Sequence, residues 1–144
     1  MCIPHFAGSP LFTLVQTDTA LNRANDAKMV LLRQQWLAHH QLTLAENHLR
    51  QLCKLKSMLQ ENLNAIGAKL ETGQDTHPEN HRTLTNQKTF LENQLREIDL
   101  EQEPRCRKQI LLKAQELKEI ADQLSQITRY INMVQFIRTL PNPF

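Results

Sequence analysis

Apolar residues recur along the chain at alternating steps of three and four. Positions 42, 45, 49, 52, 56, 59, 63, 66 and 70 read Leu, Ala, Leu, Leu, Lys, Leu, Leu, Ile and Leu, so eight of nine are apolar. A 3.5-residue period held over four heptads marks a helix that supercoils against a partner helix. Farther on, Leu84, Leu91, Leu95 and Ile98 form one such run, and Leu117, Ile120, Leu124, Ile127, Ile131 and Val134 form another. The two runs are out of phase. Between them Ile98, Gln102, Cys106 and Ile110 step by four, a stutter that locally changes the supercoil.

Turn chemistry sets the expected boundaries. Asp18 is placed to cap a helix over residues 19–71, and Gly73 to take the left-handed conformation just past its end. Thr76-His77-Pro78-Glu79 fits a capping box with Pro in the first turn. The connection, residues 72–76, is short, and short connections join antiparallel neighbours. The expected organisation is an apolar non-helical lead (1–18), a helix (19–71), a turn (72–76), a second helix (77–139) and a tail (140–144). Such a turn makes opposing residue numbers sum to about 148.

Pro104 interrupts the second helix, because it removes a backbone bond and clashes with the preceding turn. A first helix of about 53 residues spans ~80 Å. The stretch 77–139 is long enough to run back beside it, and no Gly lies near Pro104 to reverse the chain. The expected fold class is all-α: a long antiparallel two-helix coiled-coil hairpin, kinked near Pro104. An elongated three-helix bundle, with a reversal at Pro104, is the alternative.

A helix with one partner needs one apolar stripe, and the first helix has more. Ala24, Leu31, Ala38 and Leu42 continue the seam, while Val30, Leu37 and Leu44 make a second line and Met29, Leu32 and Trp36 cover much of the rest. Near the end of the second helix Tyr130, Ile131, Met133, Val134, Phe136 and Ile137 leave little polar surface. A helix apolar all round is covered all round. Antiparallel pairing brings both regions to the base of the hairpin, where the lead with Ile3, Phe6, Leu11, Phe12, Leu14 and Val15 also emerges. Either these segments fill one another, or the base meets a protein partner or a second copy. The candidate interaction residues are Met29, Val30, Leu32, Trp36, Leu37, Tyr130, Met133, Phe136 and Ile137. The opposite end is polar, with Gln74, Asp75, His77, Glu79, Asn80, His81 and Arg82.

Composition agrees with a helical chain. Three Gly and six Pro in 144 residues are too few for the frequent turns of a β-rich fold. Seventeen basic and fifteen acidic residues leave a formal net charge of +2, which does not point to nucleic acid or an anionic membrane. Cys2, Cys53 and Cys106 are odd in number and lack paired spacing, so neither a disulfide framework nor a zinc site is expected, and a reducing compartment fits. No run approaches the ~18 apolar residues of a membrane span, and the lead lacks the basic start of a signal peptide. A cytoplasmic chain is expected.

Candidate chemistry is sparse. His77 and His81, with Asp75 and Glu79 nearby, share a helix face as metal ligands do, but His-Pro-Glu-Asn-His is not the zinc-protease pattern. No metal, cofactor or small-molecule substrate is expected. Isolated glycines make no phosphate loop, no Ser or Cys has a nucleophile's neighbours, and a two-helix fold offers little concavity. The expectation is no enzyme. Arg105, Arg107, Lys108 and Lys113 are preceded by Glu97, Asp99, Glu101 and Glu103, an alternation typical of a salt-bridged helix surface rather than a nucleic-acid stripe. Lys56 interrupts the seam. Either it pairs with Glu92, Glu97 or Asp99, depending on register, or its ammonium reaches water along its stem.

These readings converge on a non-enzymatic interaction protein: a scaffold, stalk or assembly subunit docking through its base. In size and hairpin layout the chain resembles the two-helix stalk and escort proteins of bacterial secretion and flagellar export systems. That resemblance implies, as the alternative, a chaperone that shields an apolar client segment. A nucleic-acid-associated helical factor is the third reading.

Overall fold

A computed structural model describes residues 10–73 and 78–141, with side chains from Gln16 onward. Helix α1 runs from Pro10 to Thr72, α2 from Pro78 to Glu97 and α3 from Glu103 to Thr139, with a π-helical turn, Ile98–Gln102, between α2 and α3. No strand occurs among the described residues. The fold is an all-α helical hairpin.

Its start corrects the expected boundary, because residues 10–18 belong to α1 rather than to a non-helical lead. Proline at the first helical position loses nothing, as the N–H it lacks would have no partner there. No breaker follows in Leu11–Val15, and Asp18 is engaged elsewhere: its Oδ1 forms an ion pair with Arg138 Nη2 at 3.0 Å. Residues 1–9, the Ile3 and Phe6 expectations among them, lie outside the described residues, as do Gln74, Asp75, Thr76 and His77 of the turn and the tail from 142. At the other end of α1, Gly73 has φ 59°, the left-handed conformation that an L side chain resists. Thr72 Oγ1 donates to Ala68 O at 2.9 Å.

The chain does not reverse at Pro104. Glu103 N–H donates to Ile98 O, five residues back, and Pro104, which has no N–H to donate, follows directly on that π turn as the helix continues. The π turn also resolves the stutter. In an α-helix each four-residue step overshoots a full turn by about 40°, so repeated steps would rotate the seam away from α1. A more slowly winding turn takes that rotation back. Ile98 and Cys106 are buried, with Gln102 and Ile110 half-buried beside them.

The described residues cluster into two units. In the first, residues 41–114, Leu59, Leu95 and Ile98 form a buried cluster with Leu63 and Leu91 packed against it. Cys106 Sγ donates to Ala45 O at 3.2 Å. Lys56 Nζ pairs with Asp99 and lies 3.5 Å from Glu103 Oε2. The partner carboxylates therefore lie one heptad or more beyond the residue at 92 that the expected register sets opposite Lys56. A shift of seven leaves every apolar position on the seam, so the hydrophobic pattern alone does not distinguish the two alignments.

In the second unit, residues up to 40 with those from 115, Leu21 and Ala24 pack with Ile131 and Val134, and Ile127 lies against them. Full burial of a Leu, Ile or Val contributes roughly 1.5–3 kcal/mol. The seam here is narrow, because Ala24 and Ala38 bring the helices close; Ala38 is only 1% exposed.

Candidate interaction surface

The seam of the second unit accounts for Leu21, Ala24, Leu31 and Ala38 on α1 and for Ile127, Ile131 and Val134 on α3. Their burial turns the remaining apolar residues outward. All nine residues expected at the interaction surface are exposed: Met29, Val30, Leu32, Trp36 and Leu37 on α1, and Tyr130, Met133, Phe136 and Ile137 on α3. Trp36 is 69% exposed and Phe136 63%.

On α1 the exposed group is centred on Arg33. Met29 and Val30 lie one turn before it and Trp36 and Leu37 one turn after, so all four border its side chain at helical i±3 or i±4 spacing. Seam residues at this level are 28, 31, 35 and 38, which puts the Arg33 group on the back of the helix. The Trp36 ring stacks on His40, with centroids 5.5 Å apart and planes 2° from parallel. That contact holds the indole along the helix surface.

On α3, Tyr130, Met133, Ile137 and Leu140 step by three, four and three and are all exposed. This is a second run at heptad spacing, rotated away from the buried Ile131 and Val134. Leu140 was not among the expected residues, although the spacing extends to it. Arg33 was not either, because a cation within an apolar face has no periodic signature of its own.

The 41–114 unit exposes Leu44, Leu55, Met58, Phe90, Leu100, Leu111 and Leu112, spread among polar residues. Asn62, Ala65, Gln87 and Phe90 line a shallow groove there. Its electrostatics centre on Lys56. Hydrogen bonding to Asp99 holds the Lys56 ammonium above the usual lysine range. Glu103 Oε1 accepts from Arg107 Nη2 at 2.8 Å and Nε at 3.2 Å, which, ahead of the attraction of Lys56, holds its carboxyl below the usual range. Arg107 is thus folded onto Glu103, and Cys106 turns into the seam, so the basic run at 105–108 is divided between different faces.

Of the histidine pair at the hairpin turn, His77 lies outside the described residues. Among the described residues no group of three or more His, Cys, Asp or Glu is arranged to hold a metal ion. No helix among them is long and apolar enough to cross a membrane. Comparison with protein-family models, curated proteins and solved structures gave no significant match.

Proposed function

We propose that the chain is a non-enzymatic interaction subunit, a scaffold, stalk or assembly factor of the cytoplasm, that docks through the apolar surface of its base. One observation carries this reading. The base unit fills its seam and still leaves Met29, Val30, Trp36, Leu37, Tyr130, Met133, Phe136 and Ile137 exposed, within two short stretches. Exposed clusters of apolar side chains of this kind mark protein contacts in stable folds, and Trp, Tyr and Arg dominate the energies of such contacts.

The escort reading draws on the same surface. Met29 and Met133 are flexible side chains that adapt to varied apolar shapes.

The test is substitution at the base against substitution near the turn. Trp36→Ala, Tyr130→Ala and Phe136→Ala should each weaken the native association, homomeric or with a partner, by more than about 1 kcal/mol. Helicity by circular dichroism should stay near wild type, and Asn80→Ala should leave binding unchanged. Loss of association in Asn80→Ala, with the base variants altering only the melting temperature, would reverse the assignment.

A further inference from the structure

Two opposite charges on the back of α1 are set one heptad apart within the apolar group. Asp26 and Arg33 lie on the same face and are both exposed, with Met29 and Val30 between them and Trp36 and Leu37 one turn farther on. About 10 Å of helix separates the two charges, too far for them to pair with each other. Among the described residues neither takes part in an ion pair. A cover over the apolar group removes water from both, and a buried charge without a partner is strongly destabilising. The cover must therefore bring an anion to Arg33 and a cation to Asp26, at the same heptad separation.

The same face of a second copy carries that pair in the required order. Two α1 backs running antiparallel can be aligned in heptad steps, and the charges separate the alignments. A contact centred on Arg33 sets Arg33 against Arg33, and one centred on Asp26 sets Asp26 against Asp26. Centred between Met29 and Val30, the contact sets Asp26 of each copy against Arg33 of the other, so both charges are satisfied twice over. Met29 then meets Val30, and exposed Arg23 meets Trp36. The indole has one face stacked on His40, which leaves the other for a guanidinium. Leu37 falls opposite Asn22 at the rim.

We propose that the back of α1 pairs with the same face of a second copy of this chain, antiparallel about a two-fold axis between Met29 and Val30 and closed by reciprocal Asp26–Arg33 ion pairs. This rests on the docking reading above and names the occupant. A two-fold contact uses one self-complementary patch, and four apolar side chains from each copy make a small one, so the dimer forms reversibly with concentration.

Trp36 is the chain's single tryptophan and reports on this face directly. Sedimentation of the full chain over rising concentration should show monomer passing to dimer, with Trp36 emission moving to the blue over the same range. Asp26→Arg and Arg33→Asp each set like charges opposite one another and should each weaken the dimer by about tenfold or more. The two changes together restore opposite charges in this alignment alone, and should return the dissociation constant towards that of the wild type. Helicity by circular dichroism should be the same in all four chains, since both positions are exposed.

A chain that stays monomeric at every concentration would overturn the inference and leave this face to another protein. A dimer insensitive to both single changes would overturn it, as would a double variant no tighter than the single ones. Loss of the dimer in Tyr130→Ala, with the charge changes silent, would move the contact to α3 and overturn it as well. If Trp36→Ala, Tyr130→Ala and Phe136→Ala also left the native association intact, the docking reading would fall separately.

Discussion

In the unit of residues 41–114, polar ties reach into the seam. Lys56 meets Asp99 and Glu103 across the helix pair, Arg107 braces Glu103, and the Cys106 thiol donates to Ala45 O at 3.2 Å. In the base unit the buried seam residues are apolar, with Ala24 and Ala38 among them and Lys28 and Gln35 half-buried beside them, and among the described residues Arg138 pairs with Asp18 across it. The outer surfaces differ in the opposite sense. Bulky apolar residues are scattered on the first unit and gathered on the second. The comparison separates two demands on one repeat. Where a network of cross-helix polar contacts crosses the seam, alignment is specified and the outside is ordinary; where the buried seam is chiefly apolar, the outside carries the information.

Deleting a seam side chain should have the largest effect. Ile98 is 3% exposed and packs with Leu59 and Leu95. Ile98→Ala should lower unfolding free energy by about 2–5 kcal/mol in urea, whereas Trp36→Ala should stay within about 0.5 kcal/mol. Similar costs for the two would show that Trp36 is core and erase the distinction between the surfaces. Overfilling the small seam comes next. Ala38→Leu, at a residue 1% exposed, should cost about 1–3 kcal/mol; a neutral outcome would mean that the base helices separate easily.

Lys56→Leu tests alignment rather than stability. Its effect on unfolding should be small, since the Lys56 and Asp99 side chains are 41% and 46% exposed and solvent screens the pair. Spin labels at Ser57 and Arg96, however, should give one distance in the wild type. In Lys56→Leu a second population is expected, displaced along the axis by about 10 Å, one heptad. A single unchanged peak would assign the alignment to packing alone.

The smallest effect is that of pH. The Glu103 carboxyl is held low by Arg107 and then by Lys56. Its contribution is therefore present above the unfolded carboxylate value and lost as pH falls through the lower folded one. Arg107→Ala should move the acid-side decline in melting temperature to higher pH. Coincident profiles would show that the network adds nothing to the seam.

The seam was legible from residue 24 to 134 because burial enforces period, and each side chain out of step would face water. The exposed group at the base was legible as the surplus over one stripe. Three features were not. Proline reads as a breaker unless the chain before it is known, so the start of α1 at Pro10 was hidden, whereas the passage of the return arm through Pro104 without reversal was expected, and only the π turn before it was not. Alignment to within a heptad is degenerate in an apolar repeat, and cross-helix polar contacts such as those of Lys56 with Asp99 and Glu103 distinguish it. Arg33 is a single charge, and its meaning comes from the four apolar neighbours that spacing places around it.

The π turn has a consequence for how the chain's length can change. It holds one more residue than the α-helical turn it replaces, with Glu103 N–H reaching Ile98 O. Removing one residue within 98–102 should let that stretch close as ordinary α-helix and keep the following positions near their azimuth. The same deletion at 115 or 125 has no slack to consume and turns every later side chain by about 100°, bringing Asn132 and Gln135 to the seam places of Ile131 and Val134. Single-residue deletions in the return arm should therefore be tolerated in one window of five positions and be disruptive in the base unit beyond it.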